Sequence, residues 1–274
     1  MRGRHTGRHA LVALFSIALL LMFCVSGVAD LLIPSADGTE VLTNGTLTVD
    51  CSNADQGYIM VKGPESSKRL KIRIKTGKAT LNYDLNTVGE YEVYPLQFGN
   101  GKYQVSLYRN ATGNKYAEEG KVVLEARMED ELSCFLYPNQ YVNYNASTEA
   151  VIKANALSAG KSDQAEVFHE ICDFVKNNFT YDFIRQVTAS ATTVPDIDRT
   201  FTTRTGLCQD LAAITVCMLR SQGIPARLMI GSHGSSAYHA WVTAVIDNND
   251  VFFDPTVEMN ASPKDQQYST ERYY

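Results

Sequence analysis

From about Val41 to Met128 the apolar positions of the chain alternate with polar ones. Leu47, Val49 and Cys51 form one such set, and Leu70, Ile72 and Ile74 another. Leu81, Tyr83 and Leu85 repeat the pattern, as do Tyr103, Val105 and Leu107, then Val122, Leu124, Ala126 and Met128. A period of two belongs to a strand with one buried face, so each set predicts a strand. Lys71, Arg73 and Lys75 fall on the wet side of theirs. Asn100-Gly101 and Gly113-Asn114 carry the chemistry of short hairpin turns. Several short strands at this spacing predict a small all-β sandwich over residues 30–130. That region holds no cluster of His, Cys or carboxylates, so its expected role is a spacer or an adhesive module.

Pro138 and Asn139 interrupt the aromatic stretch Phe135-Leu136-Tyr137-Pro138-Asn139-Gln140-Tyr141. Residues 131–149 therefore read as a linker, too aromatic to hang free and expected to pack along one domain. Beyond it the period changes. Val167, Phe168, Ile171, Phe174 and Val175 make the apolar stripe of a helix from Gln164 to Asn177, with His169 and Cys172 as ordinary surface or core residues. The Thr-rich segment from Thr188 to Thr205 predicts a loop. A helix starting at Cys208 is apolar almost all round, which predicts burial, and Gly223-Ile224-Pro225 ends it. Then come a strand from Ala226 to Ile230, a loop from Gly231 to Ser236, a strand from Ala240 to Ile246, a turn from Asp247 to Asp250, and a strand from Val251 to Phe253. A buried helix followed by an antiparallel sheet makes residues 150–274 an α+β unit.

Composition narrows function rather than fold. The 274 residues are 45% hydrophobic and 20% charged with a net charge of −5, a globular balance that gives no reason to expect nucleic acid as a partner. Arg2, Arg4 and Arg8 precede an apolar run from Leu11 to Val25 and the small residues Ser26-Gly27-Val28-Ala29. Residues 1–29 thus read as a secretory signal peptide, or as an N-terminal anchor if uncleaved, because Ala10 to Ala29 is 20 residues long. Either way the chain is exported, and it meets a membrane only if that segment stays. Cys24 belongs to the segment, and the bulky Phe23 before it does not suit a lipid-attachment site. The five remaining cysteines are an odd number, which leaves at least one thiol free. Cys51 and Cys134 are placed to pair, or to serve as small buried apolar residues.

Near the C-terminus, Cys208, His239 and Asp254 stand at the edges of predicted elements, the second 31 residues after the first and the third 15 after the second. A helix N-terminus and a nearby imidazolium stabilise a thiolate, and the first backbone amides of the helix can hold an oxyanion. The hairpin predicted after His239 folds Asp254 back towards it, where a carboxylate can set the imidazole tautomer. Asp210 is expected to serve the helix start, Trp241 to pack in the core, His233 to be solvated, and Cys217, half a turn round the helix from Cys208, to be buried.

Gly206-Leu207-Cys208-Gln209-Asp210-Leu211-Ala212, the run from Met218 to Arg227, His239-Ala240-Trp241-Val242 and Phe253-Asp254-Pro255-Thr256 resemble the core of the transglutaminase-like superfamily. The similarity covers roughly residues 150–274, and the β-rich first half is weakly similar to exported bacterial members. The resemblance implies a papain-like α+β core with Cys208 as nucleophile, His239 as base and Asp254 as orienting carboxylate. It also implies acyl transfer on protein or peptide amides outside the cell: cross-linking, deamidation or hydrolysis through a thioester. Nothing resembles the calcium-binding insertions of animal members, so no metal or other cofactor is expected. The alternatives are a cell-wall peptidase and a non-enzymatic adhesion or assembly protein that retains the triad as a relic.

Overall fold

Each alternating stretch of the first half forms a strand with its apolar set buried. The computed structural model describes residues 30–77, 79–189, 193–234, 236–260 and 267–274, so segment 1–29 and Cys24 lie outside the described residues. The strands are β1 (Val41–Asn44), β2 (Leu47–Asp50), β3 (Tyr58–Lys62), β4 (Leu70–Lys75), β5 (Thr80–Leu85), β6 (Glu92–Pro95), β7 (Gly101–Thr112) and β8 (Lys115–Ala126). They form two antiparallel sheets ordered β1-β2-β3-β6 and β5-β4-β7-β8. Leu47, Val49 and Ile59 of one share a core with Ile72, Tyr83 and Leu107 of the other, as a sandwich requires.

Gly113-Asn114 closes the β7–β8 hairpin, with Thr112 opposite Lys115. Asn100-Gly101 closes none. Strand β6 pairs with β3 and β7 with β4 and β8, so this turn carries the chain from one sheet to the other. The Asn100 side chain anchors it, donating to the Met128 carbonyl (3.0 Å) and accepting from the Met128 N–H (2.5 Å). Cys51 and Cys134 remain free, buried thiols, and burial pushes both up to about 12.

The aromatic segment after residue 131 touches both halves rather than one. Tyr137 packs on Tyr58 (ring centroids 4.5 Å apart), while Tyr141 stacks on Tyr274 (3.7 Å) and meets Tyr83 (6.2 Å). The fully buried Arg220 donates to the carbonyls of Tyr137, Ala226 and Tyr274. One continuous apolar cluster runs through both halves.

The second half comprises α1 (Glu149–Ser158), α2 (Gln164–Asn178), β9 (Thr180–Tyr181), α3 (Phe183–Gln186), α4 (Ile197–Thr203), β10 (Thr205–Gly206), α5 (Cys208–Arg220), β11 (Ala226–His233), β12 (Ser236–Ile246), β13 (Asn249–Phe253), α6 (Pro255–Met259) and β14 (Tyr268–Tyr273). Helix α4 replaces part of the predicted Thr-rich loop. Asp196 caps it by accepting from the Arg199 N–H, and Thr200, Thr202 and Thr203 donate to carbonyls four residues back. Those hydroxyls are satisfied within the helix, while Ile197 and Phe201 bury one side of it. Strand β11 likewise runs through most of the loop predicted from Gly231, and the chain turns only around Gly234 (φ 55°). Asp247 and Asn248 alone make the next turn, both with positive φ (51° and 61°), as a two-residue hairpin demands. The sheet order is β13-β12-β11-β14, and α5 packs against it.

Candidate active site

Helix α5 is buried along its whole length. Leu211, Ile214, Met218 and Leu219 are each sealed from solvent, which contributes about 2 kcal/mol apiece and holds the helix rigidly in place. Asp210 accepts from the Leu207 N–H at 2.9 Å and pairs with Arg185, so it serves the helix start as expected. At the other end Gly223 (φ 73°) donates to the Arg220 carbonyl and Ile224 to that of Leu219, a Schellman motif. Cys208 is the first residue of α5, where backbone amides lack a carbonyl partner four residues back. It lines a cleft of about 210 Å³ bounded by Tyr181, Gln186, Leu207, Gln209 and Tyr238. Depressions of about 340 and 400 Å³ over Lys71, on the outer face of β4 and β5, carry no thiol or imidazole.

His239 lies inside β12, not at its start. Val242 faces Phe253 across the hairpin, so continuing that register sets residue 254 opposite Trp241, with His239 its diagonal neighbour on the same face. Asp254 therefore reaches His239 diagonally, as it leaves the strand to cap α6. Its Oδ1 accepts from the Thr256 and Val257 N–H groups (3.0 and 3.1 Å), and Pro255 occupies the first helical position. Its Oδ2 lies 2.6 Å from His239 Nε2. That leaves Nδ1 as the free ring nitrogen, and the Cys208 side chain interacts with the same ring. The structure thus brings Cys208, His239 and Asp254 together, each less than one-tenth exposed.

Burial disfavours a charged ring at position 239. Hydrogen bonds to Asp254 and Cys208, with the charges of both, outweigh it and hold the imidazole up to about 9. Burial also opposes the Asp254 carboxylate, yet the bonds from His239, the Val257 N–H and Tyr268 keep it below the usual carboxylate range. The arrangement can present a sulfur nucleophile, a proton carrier beside it and an oriented carboxylate behind that carrier.

Several neighbours escaped sequence reasoning. The Tyr268 hydroxyl donates to Asp254 Oδ2 at 2.8 Å, from a strand whose polar, edge-like pattern carries no catalytic signal. Gln209, one residue after the thiol, accepts from the Tyr238 hydroxyl (2.6 Å) and donates to the Thr193 carbonyl (2.8 Å). His233 is buried, not solvated: it stacks on Tyr268 at 4.3 Å, with its ring centroid 5.1 Å from that of His239. Trp241 is buried as expected and also packs beside His239.

Residues 153–255 match the family model of the transglutaminase-like superfamily. Among solved structures, a candidate cysteine protease from Cytophaga hutchinsonii is 16% identical with a TM-score of 0.41, over 86% of this chain and 90% of that one. The periplasmic domain of TgpA from Pseudomonas aeruginosa is 17% identical with a TM-score of 0.39, over 83% and 77%. Red sea bream transglutaminase is 12% identical with a TM-score of 0.31, over 72% and 48%. At these identities and scores none of them bears on activity. No curated protein matches the chain significantly.

Proposed function

Because residues 153–255 match the family model of the transglutaminase-like superfamily, we propose that the chain is a member of it and an exported thiol enzyme acting by acyl transfer on protein or peptide amides. One observation carries the reading: Cys208 stands at the head of a buried helix and on a cleft, and it acts on the same imidazole that Asp254 holds at 2.6 Å. The basic and apolar pattern of residues 1–29 supports export.

In the mechanism this supports, the Cys208 thiolate attacks the amide carbonyl carbon and forms a C–S bond. The developing oxyanion is stabilised by amides at the α5 N-terminus. Protonated His239 then gives its proton to the departing nitrogen as the C–N bond breaks, leaving a thioester and free ammonia or amine. Water or a lysine amine attacks the thioester, His239 takes the nucleophile's proton, and the thiolate leaves. The cleft, at about 210 Å³, is smaller than pockets that hold drug-sized ligands, so it suits a single amide side chain or an extended strand.

The test compares wild type with Cys208→Ala on an unfolded protein substrate containing a fluorescent primary amine, with products read by mass spectrometry. Amine incorporation marks a cross-linking enzyme, ammonia release alone a deamidase, and new chain termini a peptidase. Absence of any Cys208-dependent product, together with absence of a thioester adduct, would leave the non-enzymatic adhesion module standing.

A further inference from the structure

His233, at the end of β11, is an imidazole that the thiol chemistry does not use. It is 9% exposed, and its Nε2 is enclosed without a hydrogen-bond partner. Leaving such a nitrogen unpaired costs about 1–3 kcal/mol, which a ligand at that nitrogen would offset. One ring nitrogen of His233, one of His239 and a carboxylate oxygen of Asp254 all lie within 4.8 Å of one another. Two neutral imidazoles and a carboxylate are donors that suit zinc and its first-row neighbours, and three protein ligands leave a position for water. We propose that His233, His239 and Asp254 form a regulatory site for a divalent transition-metal ion, Zn²⁺ foremost, whose occupancy switches the thiol off.

The geometry is near to what an ion needs. Two ligands on one tetrahedral Zn²⁺ stand about 3.4 Å apart, so a pair at the 4.8 Å limit closes by about 1.4 Å, a shift that side-chain rotation supplies. The 2.6 Å contact between His239 and Asp254 opens to admit the ion. The consequence follows from the ring's two nitrogens. With Nε2 on the metal, the neutral imidazole carries its proton on Nδ1, the nitrogen that faces Cys208. A donor there has no lone pair for the thiol proton, so the base is disabled.

The switching consequence rests on the proposed thiol chemistry, whereas the site itself does not, and the test separates them. Chelator-treated Cys208→Ala is titrated with Zn²⁺ by calorimetry, alone and with His233→Ala added. One ion per chain is expected in the first, bound at least about 10-fold more weakly in the second. Co²⁺ loaded into wild type is expected to give a low-coordinate d–d spectrum without a thiolate charge-transfer band. Should His233→Ala misfold, ¹⁵N spectra of Zn²⁺-loaded Cys208→Ala take its place, with ring signals of both His233 and His239 moving. Failure of Cys208→Ala to bind, unchanged affinity in the double variant, a thiolate band in the Co²⁺ protein, or a static His233 signal would each overturn the site. Zn²⁺ binding by a protein that lacks thiol activity would retire the enzymatic reading and keep the site.

Discussion

Asp254 divides its two oxygens between structure and chemistry, and Asp254→Asn separates them. Oδ1 caps α6, and asparagine caps a helix as well as aspartate does. The fold should therefore hold, with melting displaced by no more than about 4 °C, the effect of roughly 1 kcal/mol in a chain of this size. Oδ2 is replaced by an amide nitrogen 2.6 Å from His239 Nε2. An amide donates, so the ring must accept there and carry its proton on Nδ1, towards the thiol. The lost interaction is a charge-assisted bond between side chains 8% and 1% exposed. Such a bond contributes about 1.5–3 kcal/mol to the charged ring that stands beside the sulfur, so alkylation of Cys208 should slow by about 10- to 150-fold. Asp254→Ala should lose the cap as well and melt lower still. The assay is pseudo-first-order alkylation by iodoacetamide with a chelator present, read by intact mass beside a thermal melt. Wild-type alkylation in a folded Asp254→Asn would refute the assigned role of Oδ2, and a melt lowered by more than about 10 °C would refute the division between the oxygens.

Alkylation of native protein up to pH 10 should modify Cys208 alone: Cys51 and Cys134 are pushed by burial up to about 12, and Cys172 and Cys217 are raised further. Peptide mapping before and after unfolding checks this, and early labelling of Cys217 would count against it. Turnover in chelator should stay level through neutral pH and fall as pH rises through about 9, because His239 is held protonated to that point by its partners despite burial. In Asp254→Asn that limb should move down towards about 6.5, and a limb that stays put would assign it to another group. Gly231→Ala would put a Cβ 1.9 Å from the Ser269 carbonyl oxygen and 3.0 Å from Thr270 Cα, so β14 must shift by about 1 Å. The expected cost is about 1–3 kcal/mol, seen as a lower melting temperature, and slower alkylation as Tyr268 withdraws from Asp254. An unchanged melt would show that the strand yields freely.

The sequence by itself determined the local elements wherever period and punctuation agreed. The alternation of Leu70, Ile72 and Ile74 became β4, and the apolar run after Cys208 with Gly223 at its end became α5. Those patterns suffice because a buried face has only two common periods. The same local rules could not say which strands a turn joins, so Asn100-Gly101 was read as a hairpin when it crosses between sheets. They also missed α4, whose threonines satisfy their hydroxyls only once the helix exists. Cys208 and Asp254 stand at marked boundaries, the head of α5 and the cap of α6, whereas His239 lies inside β12 and was picked out by its place in chain order between them. Tyr268 and His233 were not, since β14 meets β11 through backbone pairing between distant segments, and nothing in a polar tail or a Gly/Ser-flanked histidine announces that partner. Only the tertiary fold, by pairing β11 and β14 edge to edge, decided that a second imidazole and a phenol would share the Asp254 carboxylate's surroundings.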